Sequence, residues 1–253
     1  MKKLFLLFTL AFVAMSFEMG DEKLDDFLGR DDSSVTTIPN NQIWYTSTDG
    51  EIIEPYSDWI NNYADAHTTF GVNIVSNTYV DGKGVIEFDG NVTTIGDSAF
   101  YNCSSLTSVT IPDSVTTIGY EAFAWCSSLT SVTIPDSVTS IGAAAFYVCS
   151  SLTSVTTPDS VTTIGGGAFQ NCSSLTSVNI PDSVTTIGKG AFRSCCDLTS
   201  VYCRAVTPPA RGSYMFYGNA SGRKIYVPME SVEAYKSASY WSEYADDIVG
   251  YNF

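Results

Sequence analysis

Apolar and polar positions recur along the middle of this chain with a period of 23 residues. Phe100, Phe123, Phe146, Phe169 and Phe192 keep that spacing, and so do Cys103, Cys126, Cys149, Cys172 and Cys195 and the leucines from Leu106 to Leu198. One period, Val115 to Ser137, is V-T-T-I-G-Y-E-A-F-A-W-C-S-S-L-T-S-V-T-I-P-D-S. In Leu106-Thr-Ser-Val109-Thr-Ile111, Val109 and Ile111 are two apart and share one face of a strand, while Ser108 and Thr110 take the other. Pro112-Asp113-Ser114 ends that strand, because proline has no ladder donor and Asp and Ser bond the backbone of a turn. Val115 and Ile118 form the next apolar pair, and Gly119 follows at a corner. Ala122-Phe123-x-x-Cys126 predicts one helical or 3₁₀ turn, since positions three apart share a face. A single coil of this size does not bury enough to offset roughly 1–2 kcal/mol of backbone entropy per residue. Coils stacked about 4.8 Å apart do, with like residues forming ladders. The pattern predicts a solenoid.

The register extends beyond the regular copies. Ile86 and Phe88 lie 23 residues before Val109 and Ile111, which makes Val85–Phe88 the strand of a first half-coil. Gln42–Thr46, Asp49-Gly50 and Glu51–Ile53 predict one hairpin, and Val72–Val80, Asp81-Gly82 and Val85–Phe88 a second. Residues 38–91 then comprise an N-terminal cap and the first half-coil, with Trp44, Tyr45, Tyr56, Trp59, Tyr63 and Phe70 closing the open end of the core. Five 23-residue repeats span 92–206. Residues 207–253 hold a degenerate sixth coil, entered through Pro208-Pro209 with Ile225–Val227 as its strand, and a C-terminal cap with a helix over Glu230–Ser237.

The string L-T-S-V-T-I-P-D-S-V-T-T-I-G-x-x-A-F-x-x-C-S-S resembles the BspA-like subclass of leucine-rich repeats, over about residues 83 to 228. The resemblance implies an α+β solenoid: a right-handed leucine-rich-repeat superhelix with one parallel strand and a short helical turn per coil, capped at both ends. It implies bacterial surface or secreted proteins that act in adhesion or bind proteins, and no enzyme chemistry.

The ends and the charge add a cellular address. Met1-Lys2-Lys3 and the apolar run Leu4–Met15 predict a signal peptide over residues 1–16, too short for a membrane span, with Ala14-Met15-Ser16 suited to cleavage. No cysteine precedes Cys103, so a lipid anchor after the signal is not expected, and no later segment is long enough to enter a bilayer. Residues 17–37 carry seven acids and few apolar residues, a flexible leader. The net charge is −15, and loss of residues 1–16 removes Lys2 and Lys3 and leaves −17. That balance disfavours nucleic acid and anionic lipid surfaces. The expected location is outside a bacterial cell, secreted or held at its surface.

Candidate chemistry is sparse. Five of the seven cysteines fall at an inward repeat position, where they behave as small apolar residues whose side chains run parallel, which does not favour disulfides. Cys195-Cys196 and Cys203 depart from the pattern, and export permits their oxidation. His67 stands outside any catalytic motif. Asp113, Asp136, Asp159 and Asp182 form a ladder that turn chemistry already explains, with one carboxylate per coil, too few for calcium. No cofactor or metal is expected. Asp-Ser before Val or Ala, at Ser98, Ser114, Ser137, Ser160 and Ser183, resembles an O-glycosylation signal of exported bacterial proteins, although the turn accounts for the same residues. Two surfaces remain. The strand face is a flat bed of hydroxyls from Ser108 and Thr110 to Ser200 and Tyr202. The other lies where the repeats disagree, at Tyr101, Tyr120, Glu121, Trp125, Tyr147, Lys189 and Arg193 around the A-F-x-x-C turn. Packing fixes the shared positions and leaves these free. Tyr101, Tyr120, Trp125 and Tyr147 are the candidate contact, since Tyr and Trp concentrate at interfaces. Padding of the coil's outer side explains the same residues. The expected function is a non-enzymatic binding or adhesion protein that presents a rigid surface to a protein or cell-surface partner. A carbohydrate-binding module, in which these aromatics stack on sugars and the hydroxyl bed bonds them, is the alternative. A structural spacer and an ice- or crystal-binding surface follow it.

Overall fold

Two parallel ladders, not one, grow from the repeat in a computed structural model that describes residues 38–55 and 69–253. The predicted signal peptide and leader, with Tyr56, Trp59, Tyr63 and His67, lie outside the described residues.

The L-x-x-V-x-I segments make the longer ladder: β5 (Leu106–Thr110), β7 (Ser131–Thr133), β9 (Ser154–Thr156), β11 (Ser177–Ile180) and β13 (Ser200–Cys203), with β15 (Lys224–Pro228) after them. Val109 faces Val132, Val132 faces Val155, and Val178 faces Val201, so the register is the repeat itself. The second ladder is made of two-residue strands on the far side of the P-D-S turn: β4 (Thr94–Ile95), β6 (Thr117–Ile118), β8 (Ser140–Ile141), β10 (Thr163–Ile164), β12 (Thr186–Ile187) and β14 (Ala210–Arg211). One strand per coil was expected. The second pair of apolar residues, Val115 and Ile118, forms a short strand because its neighbours in the adjoining coils do the same.

The expected helical turn at A-F-x-x-C is absent. Two tight turns replace it, closed by Ala124 N–H to Glu121 O (3.0 Å) and Cys126 N–H to Phe123 O (3.2 Å). Glu121 and Trp125 have φ of 51° and 65°, a left-handed conformation that interrupts any helix. The reward is lateral. Glu121, Phe123 and Trp125 donate their N–H groups to Ala143, Ala145 and Tyr147 of the next coil at 3.0, 2.7 and 2.7 Å. Spacing of three fits a helix and a pair of turns equally well, which is why the sequence pattern misassigned it.

The interior is a set of columns. Phe100, Phe123, Phe146, Phe169 and Phe192 are fully buried and stack with centroids 5.1 to 5.3 Å apart and planes within 4°. Each buried apolar side chain of this size contributes about 1.5–3 kcal/mol. The cysteine column is more than apolar filling: Cys126, Cys149, Cys172 and Cys195 each donate S–H to the phenylalanine carbonyl of the preceding coil, at 3.1 Å. In the sixth coil Asn219 stands in the cysteine's place, and its amide donates to Phe192 O at 2.8 Å. The inward isoleucine column, Ile111, Ile134 and Ile180, is broken by Thr157, which is buried with its hydroxyl unbonded.

The N-terminal elements differ from the predicted pair of hairpins. β2 (Ile74–Val80) and β3 (Lys83–Phe88) do form one around Asp81-Gly82. β1 (Gln42–Ser47) does not fold back on 51–53; it lies antiparallel between β3 and β5. Ile86 and Phe88 are buried as the register requires, yet their strand is separated from the next coil by one inserted strand. Burial of Ile43 and Tyr45 on one face of β1 favours this insertion, and Ile53 N–H is held by the Tyr45 hydroxyl instead of a strand partner. At the other end a 3₁₀ turn (Met229–Ser231) leads into α1 (Val232–Ser237), and β16 (Ile248–Tyr251) adds a further parallel strand to β15. Tyr235 and Trp241 are buried there, and Trp241 donates to Pro209 O at 3.0 Å. Arg223 stands against the rings of both Phe216 and Tyr244, which also meet edge-on, and pairs with Asp247 at 2.5 Å. Among the described residues no helix is long and apolar enough to cross a membrane.

Candidate functional site

Every coil repeats the same columns around its phenylalanine, so position relative to that residue locates each variable side chain. Tyr101 and Tyr147 follow Phe100 and Phe146 directly and share a column, but Ala124 of the intervening coil separates them by about 10 Å at the usual strand spacing. Trp125 is two residues after Phe123 and Tyr120 three before it. Trp125 and Tyr147 pack edge-on at 5.8 Å. Tyr120 is half exposed, and its hydroxyl donates to Glu121 Oε1 at 2.6 Å. That bond, with the charge of Glu121, pushes the Tyr120 phenol above its usual range. Trp125 is 43% exposed, and Tyr101 and Tyr147 are half-buried. The four candidates fall in three columns, Tyr101 and Tyr147 in one and Trp125 and Tyr120 in one each, and the ring contact among them is that of Trp125 with Tyr147.

Beside them runs a groove of about 450 Å³ that was not anticipated. Its lining comes from three columns: Tyr147, Gln170 and Arg193 one residue after the phenylalanine, Glu121, Ala144, Gly167, Gly190 and Tyr214 two before it, and Gly166 and Lys189 three before it, with the three glycines leaving a floor free of side chains. The floor exists because glycine replaces side chains. Position two before the phenylalanine has φ near +60° in every coil, yet it accepts Ser98, Glu121, Ala144 and Tyr214 elsewhere. Glycine at 167 and 190 is therefore not required by the backbone, and its effect is to open the surface. That contrast between aligned repeats is visible in the sequence, but its meaning needs the φ values. Lys189 and Arg193 are the only basic residues between 92 and 203, and both line the groove. Their nearest aromatic partners are Tyr214 at 6.0 Å and Tyr217 at 5.5 Å.

The strand face carries the expected hydroxyls, with Thr110, Ser131, Thr133, Ser154 and Thr156 exposed. At its C-terminal end stands an aromatic cluster that the sequence pattern missed. Tyr202 stacks on Tyr226 at 4.8 Å, and Tyr251 meets both edge-on at 5.7 and 5.5 Å. It was missed because β16, which brings Tyr251 into place, has no repeat signature. The turn serines are occupied: Ser114, Ser137, Ser160 and Ser183 each donate to a carbonyl of the preceding coil at 2.5 to 2.7 Å.

The cysteines are free thiols. Burial pushes Cys195 up to about 12 and Cys203 to about 11, and raises Cys126, Cys149 and Cys172 well above the ordinary thiol value. Cys196 is exposed. Among the described residues no group of three or more His, Cys, Asp or Glu side chains is placed to hold a metal ion.

Residues 84–199 and 145–244 match the family described as BspA type leucine rich repeat region. Solved structures similar to the chain include a leucine-rich repeat protein of T. pallidum, 42% identical over 46% of this chain and 55% of that one, with a TM-score of 0.45. The pneumococcal vaccine antigen PcpA is 19% identical over 70% of this chain and 48% of its own, with a TM-score of 0.47. A leucine rich cell surface protein of Faecalibacterium prausnitzii is 28% identical over 54% and 58%, with a TM-score of 0.28. The chain spans about half the length of the first two. No curated protein matches it.

Proposed function

Because this chain belongs to the BspA-type leucine-rich repeat family, we propose that it is an exported, non-enzymatic protein that binds a protein or other component of a cell surface. In this reading the coils wind right-handed, and the elements before β4 and after β15 cap the column. The contact is made by Tyr101, Tyr120, Trp125 and Tyr147. The observation that supports it most is the exposure of Tyr120 and Trp125 on a backbone cross-linked to its neighbours, Trp125 through its own N–H to Tyr147. Rigid aromatic side chains lose little entropy on binding. The likeness to bacterial surface proteins fits the export predicted from residues 1–16.

The test is a pull-down from bacterial and host surface extracts with residues 17–253 and with a variant in which the four aromatics are serine. A partner retained by the parent and lost by at least about tenfold in the variant, at unchanged thermal stability, supports the site. Equal capture by both sinks it. A carbohydrate-binding reading has its own observation, the hydroxyl bed that ends in the Tyr202, Tyr226 and Tyr251 cluster, and a glycan array in which Tyr226→Ala alone loses signal would favour it.

A further inference from the structure

We propose that the glycine-floored groove is a binding site for a carboxylate-bearing sugar residue, a uronic or sialic acid unit of a surface glycan. Between residues 92 and 203 of a chain of net charge −15 there are two basic side chains, and both stand in this groove. Neither Lys189 nor Arg193 is paired with a carboxylate of a described residue, and the Gln170 amide makes no side-chain hydrogen bond to one. Three donors thus line one open trough, and the two cations among them have ring faces but no described carboxylate beside them.

The backbone argues for a sugar over an acidic peptide. A peptide docked as a strand needs free main-chain groups. The floor offers no run of them: Gly167 donates to Lys189 O at 2.9 Å and Gly190 to Ser213 O at 3.0 Å, and the carbonyls of Gly166, Gly167 and Gly190 accept from Ala144, Gln170 and Arg193. A ligand is held here chiefly by side chains. Arg193 and Lys189 suit a carboxylate, the Gln170 amide suits ring hydroxyls, and Tyr147 and Tyr214 offer apolar faces with a polar tip at the two ends. Glu121 is three coils from Lys189, about 14 Å at the usual strand spacing, which exceeds the screening length at physiological salt. The acid group of the ligand therefore sits at the end nearer the sixth coil. This site meets the protein contact proposed above only at Tyr147, so Tyr120→Ser with Trp125→Ser tests that contact and leaves the groove lining unchanged, while Arg193→Gln tests the groove alone.

The experiment is titration calorimetry of residues 17–253 with oligogalacturonate, its methyl ester, sialyllactose and a poly-glutamate peptide. The partner variants are Arg193→Gln and Gly190→Tyr, the latter copying Tyr214 at the equivalent position and the same φ. The expected result is binding of oligogalacturonate or sialyllactose, whichever supplies the acid. Binding weakens at least about tenfold for Arg193→Gln, for Gly190→Tyr and, where galacturonate binds, for the ester. No binding of either sugar acid, equal binding by the parent and Arg193→Gln, or poly-glutamate bound as tightly as the sugars, would each overturn the proposal. Thermal melting of both variants checks their fold, and Arg193→Gln, an exposed side chain, carries the test if Gly190→Tyr unfolds.

Discussion

Single residues that break a column reveal what the column is for. Thr157 sits among inward isoleucines with a buried, unbonded hydroxyl. An unsatisfied buried group costs about 1–3 kcal/mol, so Thr157→Val is expected to stabilise the protein by about 1 kcal/mol, read as a higher urea midpoint at unchanged slope. Val148 holds φ of 59°, a conformation hostile to β-branched residues, where the equivalent residues of two other coils are Asn102 and Asn171. Val148→Asn is expected to add about 1 kcal/mol, and an unchanged melting temperature would count against strain at that site. The thiols supply a pH dependence. Burial raises the folded-state values of Cys126, Cys149, Cys172, Cys195 and Cys203, so an unfolded chain releases protons that the folded one retains. Their contribution is whole below about pH 9 and declines as pH rises toward about 12, so the urea midpoint should drop between about pH 8 and about pH 10.5. Iodoacetamide at about pH 8 should label Cys196 first, since exposure and thiolate fraction set the rate. The sequence placed these cysteines inward by period alone; that each thiol also donates a hydrogen bond was not legible, because spacing carries no direction.

At the scale of elements, the strands were legible and the turns were not. Alternation in L-T-S-V-T-I marks a two-faced strand whatever surrounds it, and β5 to β13 follow it. A-F-x-x-C gave the right inward residues, Phe and Cys, with the wrong backbone, because two left-handed residues per coil leave no trace when most of them are not glycine. The glycine before each turn has a different origin. A Cβ on Gly142 would stand directly on the carbonyl of Gly119 in the preceding coil. Gly142→Ala is therefore expected to cost at least about 3 kcal/mol, whereas Gly167→Ala, at a position where Ala144 is tolerated, should cost about 1 kcal/mol. Similar losses for both would mean that close approach is not what fixes the corner. The groove was illegible for a related reason: its floor is an absence of side chains, and its charge is two residues in a run of more than a hundred.

At the scale of the described protein, stability is a sum over neighbouring coils. Each interior rung pairs with the one before and the one after, as β9 does with β7 and β11. Deleting residues 138–160, one full period, is expected to leave a cooperatively folding protein with a lower melting temperature; a chain that no longer folds would show that particular rungs, not rungs in general, hold it together. The same uniformity has a kinetic side. Because the phenylalanine stack repeats at 5.1 to 5.3 Å with almost identical partners, a coil that skips its neighbour and docks on the next loses little more than the loop it expels. The interior does not count its own members. Numbering comes from the places where translation by one rung fails, chiefly the antiparallel β1 and the asparagine that replaces cysteine at 219, and a nascent chain that reaches either one late has many near-equivalent wrong alignments to escape.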